Sequence, residues 1–65
     1  MSIPTKGEEY EKVLMYLRKA QESFYMLSHL HADESRFKAN GFFQMGENIK
    51  RMCGGVQLLM RKGLQ

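Results

Sequence analysis

Two apolar repeats on either side of the segment HADES constrain the fold of this chain more than any other feature. In each repeat, apolar residues recur at alternating spacings of three and four, which is the pattern of a helix with one apolar stripe. The first repeat comprises Tyr10, Val13, Leu17, Ala20, Phe24, Leu27 and His31, and the second comprises Phe42, Met45, Ile49, Met52, Val56 and Leu59. The sequence therefore predicts an all-α fold with helices at about 6–32 and 34–62.

Polar residues near the predicted helix starts support these boundaries. Thr5 is suited to cap the first helix, and Glu8 stands three positions later, as in a capping box. Asp33 is the expected N-cap of the second helix, which leaves a very tight turn between the two. The helices then form one antiparallel hairpin that spans residues 1–65 as a single domain, with Phe24 facing Phe42.

Two glycine-containing steps offer an alternative fold. A break at Asn40-Gly41 or at Gly54-Gly55 would give a three-helix monomer instead of a hairpin. The apolar repeat keeps its phase through Gly54-Gly55, however, and each glycine weakens a helix by only about 1 kcal/mol relative to alanine. A continuous second helix is therefore the preferred prediction, and whether the glycine pair kinks it stays open.

The small size of the chain points to association with another chain. A domain of 65 residues buries little apolar surface, and one cysteine excludes an internal disulfide. Apolar residues and small glycines away from the stripes need a partner, and we expect oligomer contacts from Met15, Met26, Leu30, Phe37, Gly54, Gly55 and Leu58. The simplest assembly is a homodimer of hairpins that forms a four-helix bundle.

The net charge of +3 is concentrated in the C-terminal part of the chain, where residues 48–65 contain no acidic residue. If the second helix is ideal, several basic residues and one aromatic residue lie along the same side of it. Neighbouring basic residues widen this stripe. The candidate face for nucleic acid or an acidic partner consists of Arg36, Phe43, Lys50, Arg51, Arg61 and Lys62. A solvated helix face with Phe43 in a bundle core explains the same residues and is preferred.

The sequence provides no recognisable set of catalytic, cofactor-binding or metal-binding residues. His29 and His31 point in nearly opposite directions on a helix, and Cys53 on the stripe is explained as a small apolar side chain. We expect neither a signal peptide nor a membrane-spanning stretch in this chain, and its lone thiol is typical of a cytoplasmic protein.

These observations favour a small non-enzymatic accessory or regulatory protein that acts through self-association and helix-surface contacts with a protein partner. The alternative is a small dimeric regulator that binds RNA or DNA through the basic face of the second helix. No cofactor and no membrane partner are expected for either function.

Overall fold

The computed structural model describes residues 5–63, which form two α-helices joined by a four-residue turn. Helix α1 comprises Lys6–His31 and helix α2 comprises Arg36–Gly63. The helices run antiparallel, since Ser28 bonds to Ala39 near the turn while Tyr10 lies beside Gly63 at the open end. The predicted all-α hairpin is confirmed: α1 begins at the predicted residue, and the other helix ends differ from the expected ones by one or two residues.

The N-terminal caps agree with the sequence prediction for α1 but not for α2. The Glu8 N–H donates to Thr5 Oγ1 at 3.1 Å, so Thr5 caps α1 as predicted. The cap of α2 is Ser35, whose Oγ accepts from the Lys38 N–H at 3.2 Å. The prediction that Asp33 caps α2 is therefore wrong, because the chain uses residues 32–35 to reverse its direction.

The turn also satisfies the last carbonyl groups of α1. The N–H groups of Glu34 and Ser35 both donate to the His31 carbonyl oxygen, at 3.1 and 2.9 Å. The C-terminal end of a helix leaves its carbonyl groups without partners inside the helix, and these bonds supply them. A helix that started at residue 34 would remove this arrangement, which is why the second helix begins later than predicted.

Helix α2 continues through both glycine-containing steps. Asn40, Gly41, Gly54 and Gly55 all lie within Arg36–Gly63, and no glycine of the described residues has a positive φ. A helix that ended at a glycine would normally place that residue in the left-handed region. The alternative of a three-helix monomer is therefore wrong.

The residues between the two helices coincide only in part with the predicted stripes. Phe24 stacks on Phe42 with ring centroids 6.2 Å apart, and the His31 ring lies against Phe42 at 5.5 Å. Gly46 is buried against the Tyr25 ring. Five stripe members are exposed, however: Val13, Leu27, Met45, Met52 and Leu59. Their places between the helices are taken by Leu14, Ser28, Ala39, Gly46 and Met60.

The hairpin is only one helix layer thick. Its Cα atoms span 47 × 26 × 10 Å. Within residues 5–63, the only buried apolar side chains are Leu14, Ala39 and Ile49, each 8% exposed. Stable domains normally bury their apolar surface between at least two layers of secondary structure. Both broad faces of this hairpin are therefore open, and they differ in chemistry.

Candidate interaction surfaces

One broad face of the hairpin is apolar along most of its length. Five large side chains on this face are between 36% and 59% exposed, and the smaller Ala20 lies among them. We call this surface the apolar face, and it consists of Val13, Ala20 and Leu27 on α1 with Met45, Met52 and Leu59 on α2. Because the members on each helix are seven residues apart, they form two parallel rows.

The position of the apolar face follows from how each helix is rotated about its axis. Tyr25 and Phe43 pack together on the opposite broad face, with ring centroids 5.6 Å apart. Seen down the axis of each helix, the direction to the centre of its apolar stripe differs by about 50° from the direction to the other helix. The rotation is away from the face that carries this aromatic pair. Both stripes are thus centred between the other helix and the open face, as they are when four helices surround a common core.

The exposed area of the hairpin is large for its mass. The accessible surface is 5520 Å², whereas a compact monomer of 7.6 kDa exposes about 4,300 Å². The excess is about 1,200 Å² per chain, and for two chains it reaches the range of 2,000 Å² and above that obligate dimers bury. The hairpin therefore has enough surplus surface for a stable interface with a second molecule.

The opposite broad face, which we call the groove face, is polar and partly aromatic. A shallow groove near the turn is lined on α1 by Tyr25 and His29 and on α2 by Arg36, Asn40 and Phe43. The Phe43 ring is 46% exposed while one side of it contacts Tyr25. This arrangement presents an aromatic surface beside a guanidinium group, which suits stacking on a base or contact with an acidic group.

The structure brings together only part of the predicted basic face. Arg36, Phe43 and Lys50 follow one another at intervals of seven along the groove face, and Arg61 lies beside this row. Arg51 points to the outer side of α2, and Lys62 lies toward the apolar face, so neither joins the row. A second part of the groove face is lined on α1 by two acidic and two basic residues, Glu11, Glu22, Arg18 and Lys19. The groove face is therefore mixed in charge.

The residues predicted as oligomer contacts lie on several sides of the hairpin. Each of the apolar ones is exposed, and Phe37 reaches 88%. Gly54 and Gly55 face open space, since no neighbouring atom lies within 4 Å of a Cβ built on either. The apolar face is bordered by Leu30 and Gly55, and the groove face by Met15 and Gly54. The residues that point outward from the hairpin are Met26, Phe37 and Leu58.

Sequence reasoning missed two contributors to the interaction surfaces. The exposed Tyr16 lies on the outer border of the apolar face, one helical turn before Ala20. Tyr25, which lies outside the first stripe, packs against both Phe43 and Gly46. The three-four spacing could not single out Tyr25, because it follows Phe24 directly and lies outside the first stripe.

Other features of the chain bear on its chemistry and on its relation to known proteins. Within residues 5–63, no three His, Cys, Asp or Glu side chains lie close enough together to hold a metal ion. Neither of the two described helices has an apolar segment of the length needed to cross a membrane.

Comparison with protein-family models, curated proteins and solved structures finds no match for this chain.

Proposed function

We propose that this chain is a small non-enzymatic accessory or regulatory protein that pairs with a second copy through its apolar face. Two hairpins stacked on this face would make a four-helix bundle and leave the outward helix surfaces for a protein partner. The observation that carries the proposal is the apolar face itself, because a flat hairpin with one apolar broad side lacks the second layer that a core needs.

The properties of the surface favour a second copy as its occupant. Between the two ends of the apolar face, its rows contain no charged residue, and the surplus of exposed area matches what a dimer interface buries. A two-fold axis would bring each row of apolar side chains against an equivalent surface of the other molecule. Phe37, Met26 and Leu58 would stay outside this interface and are the surfaces proposed for a protein partner.

Sedimentation equilibrium with two matched variants tests this proposal. Met52 on the apolar face and Leu58 on the outer side of α2 are 53% and 52% exposed in the hairpin, so they differ mainly in where they point. Wild type and Leu58→Glu are expected to sediment as dimers at micromolar concentration, whereas Met52→Glu is expected to be monomeric because its carboxylate would be buried. A monomeric wild type, or equal behaviour of the two variants, would overturn the proposal.

A second candidate function, binding of RNA or DNA, is favoured by the row of Arg36, Phe43 and Lys50 beside Tyr25 on the groove face. In the proposed dimer this face stays outward, where cations can contact phosphates and Phe43 can stack on an unpaired base. The groove face as a whole is mixed in charge rather than uniformly basic, so this candidate ranks below a protein partner.

Binding to labelled single-stranded RNA and to duplex DNA at increasing salt tests the second candidate. If the groove face binds nucleic acid, Lys50→Ala/Arg61→Ala should weaken binding and reduce its salt dependence. The matched control is the pair of single variants Lys50→Ala and Arg51→Ala, which remove the same charge from the row and from the outer side of α2 one position later. No binding at low salt, or equal losses in the two variants, would remove this candidate.

A further inference from the structure

Eight exposed residues form the two outer edges of the apolar face. They recur at intervals of seven along each helix, immediately outside the rows of the apolar face. On α1 this edge consists of Glu9, Tyr16, Ser23 and Leu30, and on α2 it consists of Gly41, Asn48, Gly55 and Lys62. The edge of α1 therefore carries two bulky side chains, while that of α2 carries two glycines.

We propose that the second copy binds with both turns at the same end of the bundle, so that α1 of each hairpin packs on α2 of the other. This inference rests on the proposed function, because it specifies how two copies meet through the apolar face. The relating two-fold axis runs parallel to the helices, and every helix then lies antiparallel to both of its neighbours.

Symmetry fixes the register of this arrangement. A rotation about an axis parallel to the helices leaves every residue at its own height, so α1 meets the partner's α2 in the register found within one hairpin. That register is defined by the 2.7 Å hydrogen bond from Ser28 Oγ to the Ala39 carbonyl oxygen and by the Phe24–Phe42 stack. The contacts between the helices, which also include His31–Phe42, Tyr25–Gly46 and Tyr10–Gly63, join residues whose numbers add to between 66 and 73. The outer-edge residues recur at intervals of seven on each helix, and the pairing whose numbers add to 71 is the one that falls within this range.

The pairs that result are complementary in size and in charge. Tyr16 lies over the partner's Gly55 and Leu30 over the partner's Gly41, so each large side chain meets a glycine. Both glycines have open space beside them in the single hairpin, since no atom lies within 4 Å of a Cβ built at either position. A bulky side chain from another chain can therefore fill that space.

The two polar pairs agree with the same arrangement. Ser23 meets the partner's Asn48, and the two side chains can exchange a hydrogen bond. Glu9 meets the partner's Lys62, which brings opposite charges together at the open end of each hairpin. Four complementary pairs arise without any adjustment of the register.

The opposite orientation fits the edges less well. With the turns at opposite ends, each helix packs on its own copy, and the best register sets Gly41 against the partner's Gly55 and Tyr16 against the partner's Leu30. Small residues then meet on one side of the bundle and large residues on the other. Glu9 and Lys62 have no opposite charge across the interface in that orientation.

Distance measurement between spin labels on the turns separates the two orientations. The label is attached at Asp33→Cys, an exposed turn position, in a Cys53→Ser background so that it is the only thiol. With both turns at the same end, the label separation is expected to be about 20 Å, roughly two helix diameters. A separation near the 47 Å length of the hairpin would overturn the proposed orientation.

Disulfide trapping provides a second test with a matched control. In the Cys53→Ser background, Tyr16→Cys/Gly55→Cys is expected to form a covalent dimer on mild oxidation, whereas Gly41→Cys/Gly55→Cys is not. The reverse result would overturn the orientation. If wild type stays monomeric in sedimentation equilibrium, the proposed function itself fails, whereas a dimer with distant turns contradicts only the orientation.

Discussion

At the scale of single residues, the tightest contact between the helices is made by a glycine. A Cβ added to Gly46 would lie 2.6 Å from Tyr25 Cε1 and 2.9 Å from Cδ1, so the ring must move. We expect Gly46→Ala to lower the free energy of unfolding by about 1 kcal/mol, because overpacking costs 1–3 kcal/mol and better helix propensity returns about 1. Urea unfolding at one fixed protein concentration measures the change.

Gly54→Ala is the matched control for Gly46→Ala. It lies in the same helix, it has no atom within 4 Å of its added Cβ, and it points away from the apolar face. The substitution is expected to raise the free energy of unfolding by up to about 1 kcal/mol. A stabilising effect of Gly46→Ala equal to that of Gly54→Ala would contradict the close contact with Tyr25.

The start of α2 makes a second prediction at the residue scale. Ser35→Ala removes the oxygen that accepts from the Lys38 N–H, and loss of such a cap typically lowers stability by about 1 kcal/mol. Asp33→Ala, two residues earlier in the turn, is expected to change stability by less than about 0.5 kcal/mol. Thermal unfolding of both variants compares them, and a larger effect at Asp33 would show that the cap has been wrongly assigned.

At the scale of the helices, the sequence predicted the elements but not their rotation. The three-four spacing gave both helices, and the unbroken phase across Gly54-Gly55 gave the continuity of α2. The same spacing predicts where the centre of an apolar stripe lies on each helix. It does not predict whether that stripe faces the other helix of the hairpin or an open side of it. Val13 and Met52 belong to the predicted stripes, yet they are 44% and 53% exposed, because each helix turns them toward the apolar face.

The paired glycines of α2 give a prediction at the same scale. Gly54 points toward the groove face, while Gly55 lies on the edge where Tyr16 of a second copy is proposed to pack. Gly55→Leu is expected to weaken dimerisation by tenfold or more, which corresponds to about 1.4 kcal/mol, because its side chain occupies the space proposed for that ring.

Gly54→Leu is the control for the glycine prediction, since it adds the same side chain one position earlier and outside the proposed interface. We expect it to raise helix stability and to leave the dimerisation constant unchanged. Sedimentation velocity over a dilution series measures the dimerisation constants of Gly55→Leu and Gly54→Leu. Equal dimerisation of the two leucine variants would mean that Gly55 is tolerated in α2 without a role in close approach.

At the scale of the whole molecule, the thin hairpin leads to a prediction about stability. A chain that folds only as part of a dimer gains stability by mass action, so its unfolding midpoint depends on protein concentration. A tenfold increase in concentration is expected to raise the apparent free energy of unfolding by about 1.4 kcal/mol per mole of dimer. Urea unfolding followed by circular dichroism at several concentrations measures this dependence.

Leu58→Glu and Met52→Glu distinguish this effect from general loss of apolar residues. Leu58→Glu is expected to keep the dependence on concentration, since its side chain points outward. Met52→Glu is expected to lose the dependence together with most of the cooperativity, because the lone hairpin buries only a few side chains. An unfolding midpoint of wild type that is constant over a hundredfold dilution would mean that 65 residues in one layer suffice for folding, and the apolar face would then need another explanation.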